Sequence, residues 1–406
     1  MQINQKIPEG WNIKKLGNVI DTFSGGTPLA GKSIYYENGK IPFIRSGEIY
    51  QNYTELFITE KGLQESSAKM VNKGDLLFAL YGATSGEIAI SQIEGAINQA
   101  ILCIRPKEDN VHYLKNSLIL LKGRILHKYI QGGQGNLSAE IVKSLKLLFP
   151  PLPEQEKIAG ILGMWDEAIE KLAGLIEQKK RLKKGLMQKL LTGKTRLPGF
   201  SQPWKEVKLG DIGTTYTGLS GKNKDNFGRG SYFIPYMNIY QNNRINPQQL
   251  ELVEIDEGEK QNTVKYGDIF FTTSSETPEE VGFASVLLFN LKQNIYLNSF
   301  CFGYRLNNFK SLLPEYASFL FRSTQTRKIM YQLAQGATRF NLSKNELMKE
   351  KIYIPSDISE QHAIADVLST ADDEINLLNQ KLEAIKEQKK GLMQQLLTGQ
   401  IRVKVN

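Results

Sequence analysis

One hydrophobic stripe is written twice in this chain. At 154–193 the text reads EQEKIAGILGMWDEAIEKLAGLIEQKKRLKKGLMQKLLTG, and at 360–399 it reads EQHAIADVLSTADDEINLLNQKLEAIKEQKKGLMQQLLTG, an ungapped repeat at an offset of 206 residues. In the second copy apolar residues fall at Ile375, Leu378, Leu382, Ile385, Leu392 and Leu396, with Lys389 in the one vacant seam position. In the first, Ile169, Leu172, Ile176, Leu186 and Leu190 keep the same register, interrupted by Lys179 and Lys183. Steps of three and four place these side chains on one face, the seam of a coiled coil. Each copy therefore predicts one helix of about 38 residues, roughly 57 Å long, with Gly193 and Gly399 placed as C-terminal caps. A stripe that long cannot bury itself. The economical solution is an antiparallel pair within the chain; packing of each helix on its own neighbouring domain, or pairing between two chains, are the alternatives.

The text before each helix also repeats. Trp-Asn-Ile-Lys-Lys-Leu-Gly at 11–17 returns as Trp-Lys-Glu-Val-Lys-Leu-Gly at 204–210, and Gly74-Asp75 returns as Gly267-Asp268, both 193 residues on. Asn98, Arg105 and Asn136-Leu-Ser find partners in Asn298, Arg305 and Asn341-Leu-Ser. Short strand-like runs at 41–45, 75–80, 87–90 and 100–105, then a helical run at about 112–129, predict an α+β unit around a small curved sheet. Between the repeated pieces the loops differ: Tyr-Gly-Ala-Thr-Ser at 81–85 faces Ser-Ser-Glu-Thr-Pro at 274–278. The fold class is thus α+β with a pseudo-twofold internal repeat. A first domain covers 1–153, a helix 154–195, a second domain 196–358, and a second helix with a tail 359–406. Variable loops on a repeated frame suggest two related sites that read different things.

Composition narrows the class. Forty-one per cent hydrophobic and 23% charged residues describe a globular chain without a membrane span, and the opening residues carry no signal-peptide pattern. Cys103 and Cys301 lie in apolar runs, which predicts free thiols in a reducing cytoplasm. A net charge of +9 favours a polyanionic partner, although many basic proteins bind no nucleic acid. The three histidines, His112, His127 and His362, have no His or Cys at metal-ligand spacing, so no metal site is assigned. No phosphate loop, dinucleotide fingerprint or nucleophilic set is present. Pro150-Pro151 lacks the flanking residues of an aminomethyltransferase motif and reads as a rigid elbow; the Glu-x-Lys triples on the helices have no partner aspartate. No catalytic residue is assigned: the chain reads as a binder.

A divergent domain pair joined by two near-identical helices, each ending Leu-Leu-Thr-Gly, resembles the DNA-specificity subunit of type I restriction–modification systems. The paired tryptophan starts, the Gly-Asp pairs, the Asn-Leu-Ser elements and Pro-Leu-Pro-Glu-Gln-Glu at 151–156 carry the resemblance over essentially the whole chain. It implies two target-recognition domains, each reading half of a gapped, asymmetric duplex, held apart by helices that dock two modification (methyltransferase) subunits. Restriction (endonuclease) subunits would complete the complex. S-adenosylmethionine, ATP and magnesium would sit on those partners, none on this chain. A two-headed protein scaffold, or a self-contained DNA-modifying enzyme, stays open.

Base edges are read by Arg, Asn, Gln, Ser or Thr on loops, while Lys and backbone N–H groups hold phosphates. The candidates in the first domain are Ser24, Thr27, Arg45, Ser46, Tyr81, Thr84, Gln131, Gln134 and Asn136. In the second they are Ser220, Lys222, Lys224, Asn238, Thr273, Ser274, Ser275, Arg339 and Asn341. The basic run at 179–184 would lie over spacer phosphates or face a partner subunit.

Overall fold

The computed structural model describes residues 7–129, 136–336 and 338–405. The chain divides into two compact units, Met1–Ala173 with Gln380–Asn406, and Gly174–Asn379.

Each unit is built on a four-stranded antiparallel sheet of the same order. In the first it runs Ile20–Ser24, Ile101–Pro106, Leu76–Ala79, Ile88–Ile90; in the second, Gly213–Thr217, Cys301–Leu306, Ile269–Thr272, Ala284–Val286. A second sheet in each, four-stranded in the first unit and three-stranded in the second, contains one parallel pair: Ile41–Ile44 with Gly95–Ile97, and Phe227–Ile234 with Tyr296–Leu297. The tryptophan-led segments form a strand that closes on the last strand before the long helix, Asn12–Lys15 on Lys146–Phe149 and Trp204–Lys208 on Lys351–Pro355. The helical run is Val111–Tyr129 in the first unit. In the second it is broken into Pro314–Leu320 and Thr324–Leu333, with Ser323 capping the latter through its hydroxyl.

The repeated motifs have structural causes. Asp75 accepts from Arg105 at 2.9 and 2.6 Å, and Asp268 from Arg305 at 2.8 and 2.6 Å. Each aspartate also accepts the backbone N–H three residues before it, Asn72 and Lys265, which fixes the turn into the central strand. Burial pushes the Asp75 carboxyl up, but Arg105 and the Asn72 N–H together outweigh it and hold it below the ordinary carboxylate range. Gly25 and Gly218 sit where an added Cβ would lie 1.7 Å from the Ile97 carbonyl oxygen and 2.1 Å from that of Asn298. The chain there passes against the neighbouring backbone, which only glycine permits.

The two long helices are Leu152–Leu190 and Ile358–Leu397, beginning two residues earlier than the repeat suggests. Both end in the same way. Gly193 and Gly399 have φ of +69° and +72°, and Thr195 and Ile401 each donate to a carbonyl six residues back. The start is locked by Glu-Gln. Glu154 accepts from Trp11 Nε1 at 3.1 Å and is forked by Arg402 at 2.7 and 2.8 Å. Glu360 accepts from Trp204 Nε1 at 3.3 Å and is forked by Arg196. Gln155 and Gln361 donate to the carbonyls of Pro150 and Pro355 and accept the N–H of Asn110 and Leu313. All four side chains are buried.

The helices run antiparallel to each other. In the first unit Lys389 reaches Asp166; in the second Lys183 reaches Asp372 and Lys179 reaches Glu374. The lysines that interrupt the apolar seam are thus answered by acids on the opposing helix. The 206-residue repeat maps one Lys–Asp pair onto the other. Burial raises the Asp166 carboxyl, yet Lys389 and Lys115 outweigh it and hold it low. All eleven seam residues, from Ile169, Leu172, Ile176, Leu186 and Leu190 to Ile375, Leu378, Leu382, Ile385, Leu392 and Leu396, are buried or half-buried.

The compact units do not stop where the helices start. Ile158, Leu162, Met393 and Leu396 belong to the core of the first unit, and Leu190, Ile364 and Leu368 to that of the second. Each domain takes the first turns of one helix and the last turns of the other, because the apolar stripe continues into its core.

Candidate nucleic-acid interface

In the first unit a cluster forms where the loop after Leu76–Ala79 meets the segment before Ile101–Pro106. Thr27 donates its hydroxyl to Gln99 Oε1 at 2.7 Å. Leu80 donates to Ala100 and accepts from Leu137, which brings Asn136 beside Tyr81. Thr84 lies in the same turn, its carbonyl accepting the Glu87 N–H. Ser24 ends its strand, half-buried. Arg45 is committed elsewhere: it forks Glu48 at 3.1 and 2.8 Å and reaches Glu55 at 2.7 Å. Ser46 opens the short helical turn Ser46–Glu48 beside it. Gln131 and Gln134 lie outside the described residues.

The second unit repeats the frame and changes its contents. Thr273 donates to Phe300 and accepts from Leu342, the counterparts of the Leu80 bonds. There a three-stranded patch forms: Ser274–Ser275, Phe340–Leu342 and Ala334–Gln335, with Ser274 opposite Asn341 and Ser275 opposite Phe340. Thr273, Ser274, Ser275, Arg339 and Asn341 are therefore gathered on one surface. Against it lies a pocket of about 340 Å³ lined by Tyr236, Ser274, Ser275, Glu276, Phe300 and Arg339.

Two other candidates, Asn238 and Lys222, have their side chains engaged within the fold, while Ser220 and Lys224 remain exposed. Asn238 is buried, and its amide holds the carbonyls of Asn246 and Gln249. It pins a loop and faces no solvent. The Lys222 ammonium is paired with Glu259 and only 5% exposed. Ser220 exchanges backbone hydrogen bonds with Gln261, and Lys224 opens the short helical turn Lys224–Asn226. The basic run is also partly used. Lys179 and Lys183 pair across the helices and Lys180 pairs with Glu177, while Lys180, Lys183 and Lys184 line a 440 Å³ groove with Arg322.

Three neighbours of these sites escaped the sequence: Gln99, Glu276 and Phe300. The Asn98–Asn298 correspondence carried the signal. Two residues beyond it, Ala100 in one half answers Phe300 in the other, and Phe300 is 60% exposed.

Residues 8–180 and 201–387 each match the family model described as the type I restriction modification DNA specificity domain. The chain belongs to that family. It is 29% identical to the putative type I restriction enzyme MjaX specificity subunit of Methanocaldococcus jannaschii, over 98% of this chain and 95% of that one. The EcoKI specificity subunit of Escherichia coli is 22% identical over 88% and 81%. The S subunit of a type I restriction-modification system from M. genitalium has the same fold, with a TM-score of 0.58, 16% identity and 98% of both chains covered. A chain from a study of the assembly and conformational transition of the type I R-M system gives 0.60 at 16% identity, over 98% of this chain and all of that one. The doubled frame and the helix pair are thus the family's architecture, and the loops on the frame are where this member differs between its halves.

No helix among the described residues is long and apolar enough to cross a membrane, and no group of His, Cys, Asp and Glu among them could hold a metal ion.

Proposed function

We propose that this chain is the recognition subunit of a cytoplasmic type I restriction–modification complex, reading a bipartite, asymmetric duplex. One observation carries the reading. The same hydrogen-bonded frame occurs twice, at Leu80 and at Thr273, with unlike side chains set on it. Sequence is read at base edges, so two frames with different edge chemistry read two different half-sites. The first domain presents Thr27, Tyr81, Thr84, Gln99 and Asn136; the second presents Thr273, Ser274, Arg339 and Asn341. Two modification subunits dock the helix pair and carry the methyl-transfer chemistry with S-adenosylmethionine, and restriction subunits supply ATP- and magnesium-dependent cleavage.

The test is selection from a random duplex library by the chain with its co-purifying methyltransferase partner, at two salt concentrations. Two short unlike motifs at a fixed gap are expected, and deleting a matched turn from both helices shortens the gap. Binding that falls with salt but enriches no sequence would reduce the protein to a basic scaffold.

A further inference from the structure

The pocket in the second unit contains a group that a DNA-binding surface should avoid. Phosphates repel carboxylates, yet Glu276 lines the pocket beside Arg339. The second carboxylate there, Glu280, is accounted for. It accepts the Tyr240 hydroxyl at 2.7 Å and the Ser275 hydroxyl at 3.1 Å. Ser275 in turn accepts the Thr277 N–H, so Ser275 and Glu280 shape the loop. Glu276 has no hydrogen-bond or ion-pair partner among the described residues, and the Arg339 guanidinium has none either. Both side chains are exposed. One pure acceptor and one forked donor therefore stand free in a single pocket.

A base pair that matches them is specific. In the major groove cytosine offers the N4 amino donor and guanine the N7 and O6 acceptors. A carboxylate can only accept, so it suits cytosine N4; a guanidinium can only donate, and its fork spans N7 and O6. An A·T pair places an acceptor, adenine N7, next to its donor, and the carboxylate repels it. The amide of Asn or Gln is the group that fits adenine. Resting on the proposed DNA-reading role, we propose that Glu276 and Arg339 together read one C·G pair in the half-site of the second domain, with Glu276 accepting from cytosine N4 and Arg339 donating to guanine. Phe300 and Tyr236 supply the apolar part of the pocket's lining, against which a base can stack.

The experiment uses the chain with its methyltransferase partner, in library selection followed by binding to defined duplexes. The wild type is expected to require C·G at one position of one half-site, with a loss of roughly 10- to 100-fold on substitution by A·T. Glu276→Gln supplies an amide and is expected to move the preference at that position from C·G to A·T. Arg339→Ala abolishes the discrimination there. The other half-site and the gap stay unchanged in both variants, an internal control for folding. A fixed-gap motif whose preference survives Glu276→Gln, or that contains no such C·G pair, overturns this inference and leaves the DNA-reading role intact. Absence of any fixed-gap motif in the wild type overturns both.

Discussion

The two candidate reading surfaces differ in kind although their frames coincide. At the first, the described side chains are hydroxyls and amides: Thr27 on Gln99, with Tyr81 and Asn136 brought together by the Leu80 bonds. At the second, the same backbone bonds present a carboxylate, a guanidinium and an exposed phenyl ring. The frame is therefore indifferent to what it carries. Its strength comes from the main sheet, the Asp–Arg clamp and the Glu–Trp–Arg lock, none of which lies on the reading loops. Separation of stability from specificity lets one scaffold serve two sequences.

If the frames are equivalent, the same injury must hurt both halves alike. Glu154→Ala and Glu360→Ala each leave a buried indole N–H without its acceptor, at about 1–3 kcal/mol, while the arginines released, both partly exposed, are solvated by water. The two variants are expected to lower the unfolding midpoint by similar amounts in thermal or denaturant melts. A large drop for one and none for the other would break the equivalence of the locks.

The reading loops should behave in the opposite way, each half responding alone. Arg339→Ala is expected to weaken discrimination in one half-site by about 1–3 kcal/mol, and Gln99→Ala to weaken it by a similar or smaller amount in the other. Base-by-base binding profiles check this; a variant that relaxes both half-sites would mean that the two loops do not read independently.

How much of this was legible beforehand depended on repetition. The helices, their antiparallel pairing and the doubled domain followed from a period of 206 residues and from apolar steps of three and four, because a repeat constrains both copies at once. The strand cores at 76–79 and 101–106 were equally plain, as continuous apolar runs. The Glu-Gln lock was visible as a motif but not as a contact: nothing in the text says that Arg402, at the end of the second helix, returns to Glu154. Loop chemistry was the least legible. Asn238 and Arg45 have the residue types of base readers, and the fold uses both to hold turns, since a polar side chain on a loop serves the backbone as readily as a ligand.

A smaller difference can be sharpened at the helix seam. Lys389–Asp166 and Lys183–Asp372 are images of one another under the repeat, and half-buried pairs of this kind couple by about 1 kcal/mol or less. Double-mutant cycles on the two pairs should return similar couplings. The first pair has an additional cation, Lys115 at 3.2 Å from Asp166, so the single variant Lys389→Ala is expected to cost less than Lys183→Ala.

The smallest effect separates the halves by pH. The two units hold the loop after Ile41–Ile44 and its counterpart after Phe227–Ile234 with different polar groups. In the second it is the neutral Asn238, whose amide does not titrate. In the first it is Glu48, which accepts the Arg45 side chain, the Thr54 hydroxyl and the N–H groups of Arg45 and Glu55. Burial pushes the Glu48 carboxyl up, but the guanidinium and the backbone donors outweigh it and bring it down to about 2. A folded value below the unfolded one means that ionised Glu48 stabilises the fold fully above the ordinary carboxylate range, near pH 4.5, and that this contribution is lost as pH falls from there towards 2. Acid should therefore loosen residues 45–56 before it loosens 238–249. Hydrogen exchange of the two loops between pH 5 and 3 reads this directly, after correction for the intrinsic rate. Glu48→Gln should raise exchange at 45–56 already at pH 5 and flatten its further rise, because the amide keeps the shape and loses the charge. Equal acid sensitivity in both loops would mean that Glu48 is not what holds the first one.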